Sequence, residues 1–186
     1  MVTQSGENAY IEITDYNDKF VTDEVRSDVV ANLLNNNNAD IKVASYTMAD
    51  ARDHIFSFIY QNYIAKDKFV QVVMDKVSWD WPVFKELLQD TNLKLPQFIS
   101  PVVIDINTQL ADNITVPIDK IKSVSDGEGR YKNFVPSIAI YNDLNIINTA
   151  NELNGIPEPL KLLHDSNALK KAYAIRSIHR SIWNID

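Results

Sequence analysis

The stretch FVQVVMDKVSWDWPVFKELL, residues 69–88, combines the best buried-strand signal in the chain with the start of a helix. Its first six residues form a nearly continuous apolar run rich in β-branched side chains, which is typical of a strand buried on both faces. Pro82 is tolerated in the first turn of a helix, so we expect a helix from about Asp80 to about Asp90. The segment therefore predicts a buried strand that leads directly into a helix.

Strands and helices alternate on both sides of this segment. The pattern predicts further strands at residues 9–14, 41–44 and 102–106, and helices at residues 22–34, 49–64, 138–153 and 166–183. Thr22 is the expected N-cap of the first of these helices, and Gly155 is expected to close the third. Such alternation favours a mixed or largely parallel sheet. A chain of 186 residues suits one α/β domain, residues 1–186, with a full hydrophobic core.

Composition excludes several kinds of site. The chain has no cysteine, which removes disulfides, thiolate metal sites and cysteine nucleophiles together. Apolar residues make up 45% and charged residues 23%, which is ordinary for a globular protein. No run approaches the roughly 20 apolar residues of a membrane helix, and residues 1–8 are too polar for a signal peptide. We therefore expect a cytoplasmic protein with no membrane partner.

The formal net charge is −7, so the average electrostatic field does not favour non-specific binding of a polyanion. The last predicted helix nevertheless carries a basic cluster, defined as Lys170, Lys171, Arg176, His179 and Arg180. One basic helix on an acidic protein is usually a solvated face, which is the interpretation we favour over phosphate binding. Trp79 and Trp81 could stack on bases, although aromatic residues beside a helix start more often pack against the core. Single-stranded nucleic acid is thus a candidate partner.

Three segments, read in order, resemble the DnaQ-like 3′–5′ exonucleases. Residues 70–88 are similar to the second motif of that family, in which a strand ends and an aspartate opens the next helix. Residues 95–110 resemble the strand and helix that follow, and residues 166–172, SNALKKA, resemble the third motif, His-Asn-Ala-Leu-x-Asp-Ala. Residues 10–34 resemble the third strand and first helix of phage-encoded and bacterial exoribonucleases of this type. The likeness covers most of the chain.

The resemblance implies a ribonuclease-H-like fold, in which a mixed sheet is flanked by helices. It also implies a chemistry in which four acidic residues hold two divalent cations and a histidine acts as general base. The two cations repel each other strongly, and only a cluster of carboxylates offsets that repulsion. The metals activate a water and stabilise the leaving 3′ oxygen.

Residue by residue, the chain keeps little of that site. Asp80 matches the aspartate of the second motif, whereas Ser166 stands at the position of the histidine and Lys171 at that of the last aspartate. The Asp-x-Glu of the first strand is absent, and the nearest candidate retains only Glu12. The better match treats residues 9–14 as the third strand, so the first strands of the fold are expected to be missing.

Lys171 departs furthest from the family pattern, because an ammonium replaces a metal-binding carboxylate. We hypothesise that Lys171 forms an ion pair with Asp80 in place of the metal site. Asp75 and Asp80 could bind one metal, but we favour Asp80 as an N-cap and Asp75 as a solvated loop acid. His164 could be a shifted general base, but we favour a capping or surface role.

Two hypotheses about function follow. The first is a catalytically degenerate relative of these exonucleases that acts as a binding or structural module in a phage-encoded assembly, with a protein partner or a second copy of the chain and no cofactor. It would act in the bacterial host cytoplasm or the virion. The second is an active exonuclease on single-stranded RNA or DNA, with Mg²⁺ or Mn²⁺ at Asp80 and Asp75, completed by residues from another segment or subunit. Lys171, Ser166 and the absent Asp-x-Glu favour the first.

Overall fold

The computed structural model describes residues 1–34, 43, 45–89, 94–113 and 143–185. Its strands are β1 (Glu12–Ile13), β2 (Ser45–Tyr46), β3 (Val73–Met74) and β4 (Ile104–Asp105). Its helices are α1 (Asp23–Asp28), α2 (Met48–Asn62), α3 (Val77–Leu88), α4 (Ile106–Asn113), α5 (Asp143–Glu152), α6 (Glu158–Lys161) and α7 (Ala168–Trp183). Within these ranges, no helix has both the length and the apolar character needed to cross a membrane.

The strands form two parallel pairs. In the first pair Glu12 of β1 lies opposite Ser45 of β2, and in the second Val73 of β3 lies opposite Ile104 of β4. A bridge between Val70 and Ile99 extends the second pair. The α/β class is therefore confirmed as a helical chain with small parallel sheets. The predicted strand at residues 41–44 lies largely outside the described residues.

Local capping explains where the helices begin. Thr22 caps α1 by accepting a hydrogen bond from the Val25 amide at 3.2 Å, as predicted. Asn167 caps α7 in the same way, because its side chain accepts from the amides of Leu169 and Lys170 at 3.0 and 3.3 Å. Both predicted helix starts thus lie within two residues of the observed ones.

The start of α3 was predicted wrongly. The helix begins at Val77, three residues earlier than expected, because the amides of Trp79 and Asp80 both bond to the Lys76 carbonyl at 2.9 and 2.8 Å. Asp80 therefore lies inside the first turn and is not the N-cap; the N-cap is Lys76, which makes no side-chain capping bond. Pro82 lies inside the helix.

Two apolar clusters form the core. The first joins α4, α5 and α7 through Ile106, Leu110, Ile146, Ile147, Ala150, Ile156, Ala174 and Ile178. The second joins α2, α3 and the strand region through Ile55, Ile59, Val70, Leu88 and Ile99. Helix α7 packs on α5, α4 and β3, so it is the element that carries side chains toward the end of β3.

The connection after α5 requires a glycine for packing. The left-handed residue that ends this helix is Asn154, with φ 52°, and the Gly155 amide donates to the Ala150 carbonyl at 2.8 Å. Gly155 itself lies against α7, where a Cβ would fall 1.6 Å from Ser177 Oγ. Gly155 was predicted to end this helix by itself. Instead, Asn154 supplies the left-handed turn, and Gly155 permits the close approach of α7.

Residues 1–9 form a small hairpin, called here the N-terminal hairpin. Met1 and Ala9 exchange two hydrogen bonds, at 2.8 and 3.0 Å, and Val2 bridges to Asn8. The hairpin is fastened to α7, because the Tyr173 hydroxyl donates to the Gly6 carbonyl at 3.3 Å. The first and last parts of the described chain are thus joined directly.

Candidate functional site

The end of β3 and the first turns of α7 meet through an ion pair. Asp75 follows β3 directly, and Lys171 lies one turn after the N-cap of α7. Lys171 Nζ lies 3.8 Å from Asp75 Oδ2, and the two side chains are only 18% and 10% exposed. The Asp75 carbonyl also accepts a hydrogen bond from the Asn107 side-chain amide. Position 171 therefore brings an ammonium to the end of β3.

Asp75 and Asp80 have roles that differ from the prediction. Asp75, expected to be a solvated loop acid, is largely buried because α7 packs over the end of β3. Asp80, expected to be the N-cap, is exposed on the first turn of α3. Lys171 has Asp75 as an ion-pair partner. The pair of Lys171 with Asp80 stays a prediction.

Glu12 is a buried carboxylate on β1. It accepts a hydrogen bond from the Tyr10 hydroxyl at 2.9 Å. Burial, together with this bond and the negative charge of Glu12, raises the pKa of Tyr10, so Tyr10 stays a neutral donor. The Tyr10 hydroxyl also interacts with the Asn167 side chain. Glu12 is therefore connected to the start of α7 by Tyr10, which contacts Asn167. Asp75 is connected to α7 by its ion pair with Lys171.

His164, Ser166 and Asn167 form the turn before α7. The Ser166 amide donates to His164 Nδ1 at 3.2 Å, and the Asn167 amide donates to the His164 carbonyl at 2.9 Å. The His164 side chain is exposed. The favoured interpretation of His164 as a local capping and surface group agrees with this geometry.

Lys170 was placed in the basic cluster by the sequence, but it is a buried structural residue. Its ammonium donates to the carbonyls of Lys161 and Leu163 at 3.1 and 2.8 Å and to Asp165 Oδ1 at 2.9 Å. These three bonds use all three donors of the ammonium. Lys170 therefore fixes the connection between α6 and α7.

The rest of the basic cluster is also engaged, so the prediction of a solvated face was wrong. Arg176 Nε and Arg180 Nη1 both donate to the Gln4 carbonyl, at 3.0 and 3.3 Å, and hold the N-terminal hairpin. His179 Nδ1 lies 3.2 Å from Gln109 Oε1 of α4, and burial lowers the pKa of His179. All five residues are at least partly buried, because α7 is surrounded by α4, α5 and the hairpin.

The described ranges contain no group of three or more histidine, aspartate or glutamate side chains placed to hold a metal ion. The arrangement that they do contain is a row along the start of α7. Side-chain contacts link Glu12, Tyr10 and Asn167, and separately Lys171 and Asp75; the two groups are joined by the backbone bond from the Lys171 amide to the Asn167 carbonyl at 3.0 Å. In this arrangement the buried Glu12 carboxylate is paired with the neutral Tyr10 phenol, and the Asp75 carboxylate is paired with the Lys171 ammonium.

Comparisons with known proteins found no match for this chain among protein-family models, curated proteins or solved structures.

The Asp75–Lys171 ion pair should couple energetically. We expect Asp75→Asn and Lys171→Met each to lower the free energy of unfolding by about 2 kcal/mol, because each leaves a poorly solvated charge behind. The double variant should lose about 1 kcal/mol less than the sum of the two single losses. Urea unfolding followed by circular dichroism measures all four proteins.

The exposed pair of Arg26 and Asp18 is a matched control for this cycle. Its atoms are closer, at 3.1 Å, but the side chains are 48% and 65% exposed. Coupling there should stay below about 0.5 kcal/mol, because water screens the charges. Equal coupling in the two pairs would mean that burial does not strengthen the Asp75–Lys171 contact.

Proposed function

We propose that the chain is a catalytically degenerate relative of the DnaQ-like exonucleases that acts as a binding module for a protein partner or a second copy of itself. The observation that carries this proposal is the position of Lys171 Nζ, 3.8 Å from Asp75 Oδ2 at the end of β3. On the resemblance, position 171 is where an exonuclease carries its last metal-binding aspartate. The proposal includes the ribonuclease-H-like architecture.

Electrostatics supports a loss of two-metal chemistry. Two unit charges about 4 Å apart interact with about 4 kcal/mol at an effective dielectric constant of about 20, so an ammonium would repel a divalent cation by about 8 kcal/mol. The ammonium also neutralises Asp75, which would otherwise attract the cation. A cation at this place would have to displace Lys171 from a largely buried contact.

Manganese binding and nuclease activity test the proposal directly. Isothermal titration with Mn²⁺, and cleavage assays on single-stranded RNA and DNA with Mg²⁺ or Mn²⁺, should show neither tight binding nor cleavage by the unaltered chain. In Lys171→Asp the ammonium is replaced by a carboxylate beside Asp75. We expect the affinity for Mn²⁺ to rise by about tenfold or more, since oxygen ligands suit such cations.

Lys19→Asp makes the same change of charge at an exposed lysine and serves as the matched control. Circular dichroism verifies that each variant is folded. Metal-dependent cleavage by the unaltered chain that disappears in Asp75→Asn would establish an active exonuclease and overturn the proposal. An equal gain of Mn²⁺ affinity in the two variants, or no gain in a folded Lys171→Asp, would also contradict it.

A further inference from the structure

A cavity of about 280 Å³ lies between the N-terminal hairpin and the residues that follow α2. The hairpin contributes Thr3, Gln4 and Ser5 to its lining, and Tyr63, Lys66 and Phe69 are among the residues of the opposite side. The volume lies just below the range of typical small-molecule sites, which begins at about 300 Å³. The cavity therefore suits a small ligand.

The lining of this cavity is positively charged, in contrast to the chain as a whole. It includes two lysines, Lys66 and Lys68, and no carboxylate, although the chain carries a formal net charge of −7. In the described part of the chain neither ammonium has an ion-pair partner. Lys66 also interacts electrostatically with the Glu7 carboxylate, which lies outside the lining, whereas Lys68 has no such interaction among the described residues. The two ammoniums that line the cavity attract an anionic ligand.

A tight turn places the two lysines together. The amides of Lys66 and Lys68 both donate to the Tyr63 carbonyl, at 3.0 and 2.9 Å. Asp67 between them is left-handed, with φ 52°, which reverses the chain. The Asp67 carboxylate is absent from the lining, so the ionic side chains that line the cavity are the two lysines alone.

The opposite wall is held in place by α7. The Gln4 carbonyl accepts from Arg176 and Arg180, at 3.0 and 3.3 Å. Ser5 lines the cavity, and its amide has no acceptor among the described residues. Glu7 lies outside the lining and is occupied by the hydroxyls of Thr3 and Ser5. Such a fixed wall reduces the entropy lost on binding.

We propose that this cavity binds the phosphate group of a small phosphorylated ring compound, of which a nucleoside monophosphate is the simplest example. Lysine ammoniums and a free amide are suitable donors for phosphate oxygens. Phe69 borders the cavity with a ring that is 60% exposed, on which a planar base can stack. This inference does not rest on the proposed function, because it uses a different part of the fold.

Titrations with adenosine monophosphate, inorganic phosphate and adenosine measure separately how the phosphate group and the nucleoside contribute to binding. We expect saturable binding of the monophosphate with Kd of about 1 mM or below, and weaker binding of adenosine. Lys66→Gln and Lys68→Gln should each weaken the binding of monophosphate and inorganic phosphate by about fivefold or more. Phe69→Ala should weaken the monophosphate and leave inorganic phosphate unchanged.

Lys19→Gln is the control for loss of one exposed positive charge, and it should leave both affinities within about twofold. Isothermal calorimetry measures the affinities, and circular dichroism verifies the fold of each variant. A short single-stranded oligonucleotide, competed against the monophosphate, distinguishes a free nucleotide from a strand as the source of the phosphate. Absence of saturable binding up to about 10 mM, equal binding of adenosine, or equal weakening by Lys19→Gln would overturn the proposal.

Discussion

Gly155→Ala should lower the free energy of unfolding by about 3 kcal/mol, because the added methyl group has no room. A Cβ at this position lies 1.6 Å from Ser177 Oγ and 2.0 Å from Ser177 Cβ. The hydroxyl could rotate away, but Ser177 Cβ is fixed by the backbone of α7. The connection after α5 must therefore move away from α7 and disturb the packing of Ala150 and Ala174 between them.

A compensating substitution tests that cause. Ser177→Gly removes both close atoms and by itself costs about 1 kcal/mol, since glycine is unfavourable inside a helix. The double variant Gly155→Ala, Ser177→Gly should then be more stable than Gly155→Ala alone, although it carries one more substitution. Urea midpoints measured by circular dichroism rank the stabilities of the unaltered chain, the two single variants and the double variant. If the free energy of unfolding of Gly155→Ala lies within about 0.5 kcal/mol of that of the unaltered chain, Gly155 and α7 do not approach each other this closely.

Lys170→Met should cost about 3 kcal/mol. Methionine fills the space of the aliphatic stem, so the loss arises from the ammonium and its three hydrogen bonds. Two carbonyls and the Asp165 carboxylate then lose a charged donor. Lys170→Arg should also destabilise the fold, because the planar guanidinium cannot direct donors to three converging acceptors.

Lys161→Met is the matched control for Lys170→Met. Lys161 forms a shorter ion pair, at 2.6 Å, but its partner Glu158 is 84% exposed. That substitution should cost less than about 1 kcal/mol. Equal losses at the two positions would show that the hydrogen bonds of Lys170 contribute no more than a surface ion pair.

Sequence patterns located α2 and α7 well, but they made the first helix too long, because α1 ends at Asp28 and not at Leu34, and they made the strands too long. Helix α7 was predicted within two residues because its apolar stripe has helical spacing. The apolar run at residues 69–74 became a strand only at Val73 and Met74, with one bridge at Val70. Strand length depends on the partner strand, which the run itself does not encode.

The burial of Lys170 and Asp75 was the feature that the sequence predicted least well. Lys170 lies four residues before Ala174 and eight before Ile178, which places it on the buried stripe of α7, so helical spacing could have identified it. No local pattern could have distinguished Asp75 from Asp80, because the burial of Asp75 depends on α7, almost a hundred positions further along. The match of Asp80 to a family motif favoured the acid that the fold leaves exposed.

The contact between the N-terminal hairpin and α7 has a consequence for biosynthesis. Its partners, such as Gly6 and Tyr173, are 167 positions apart. A nascent chain therefore carries residues 1–9 undocked until α7 has left the ribosome, and the docking step closes a very long loop. The phosphate cavity proposed here shares one wall with that hairpin, so an incomplete polypeptide would lack it, and ligand binding would report that folding had finished.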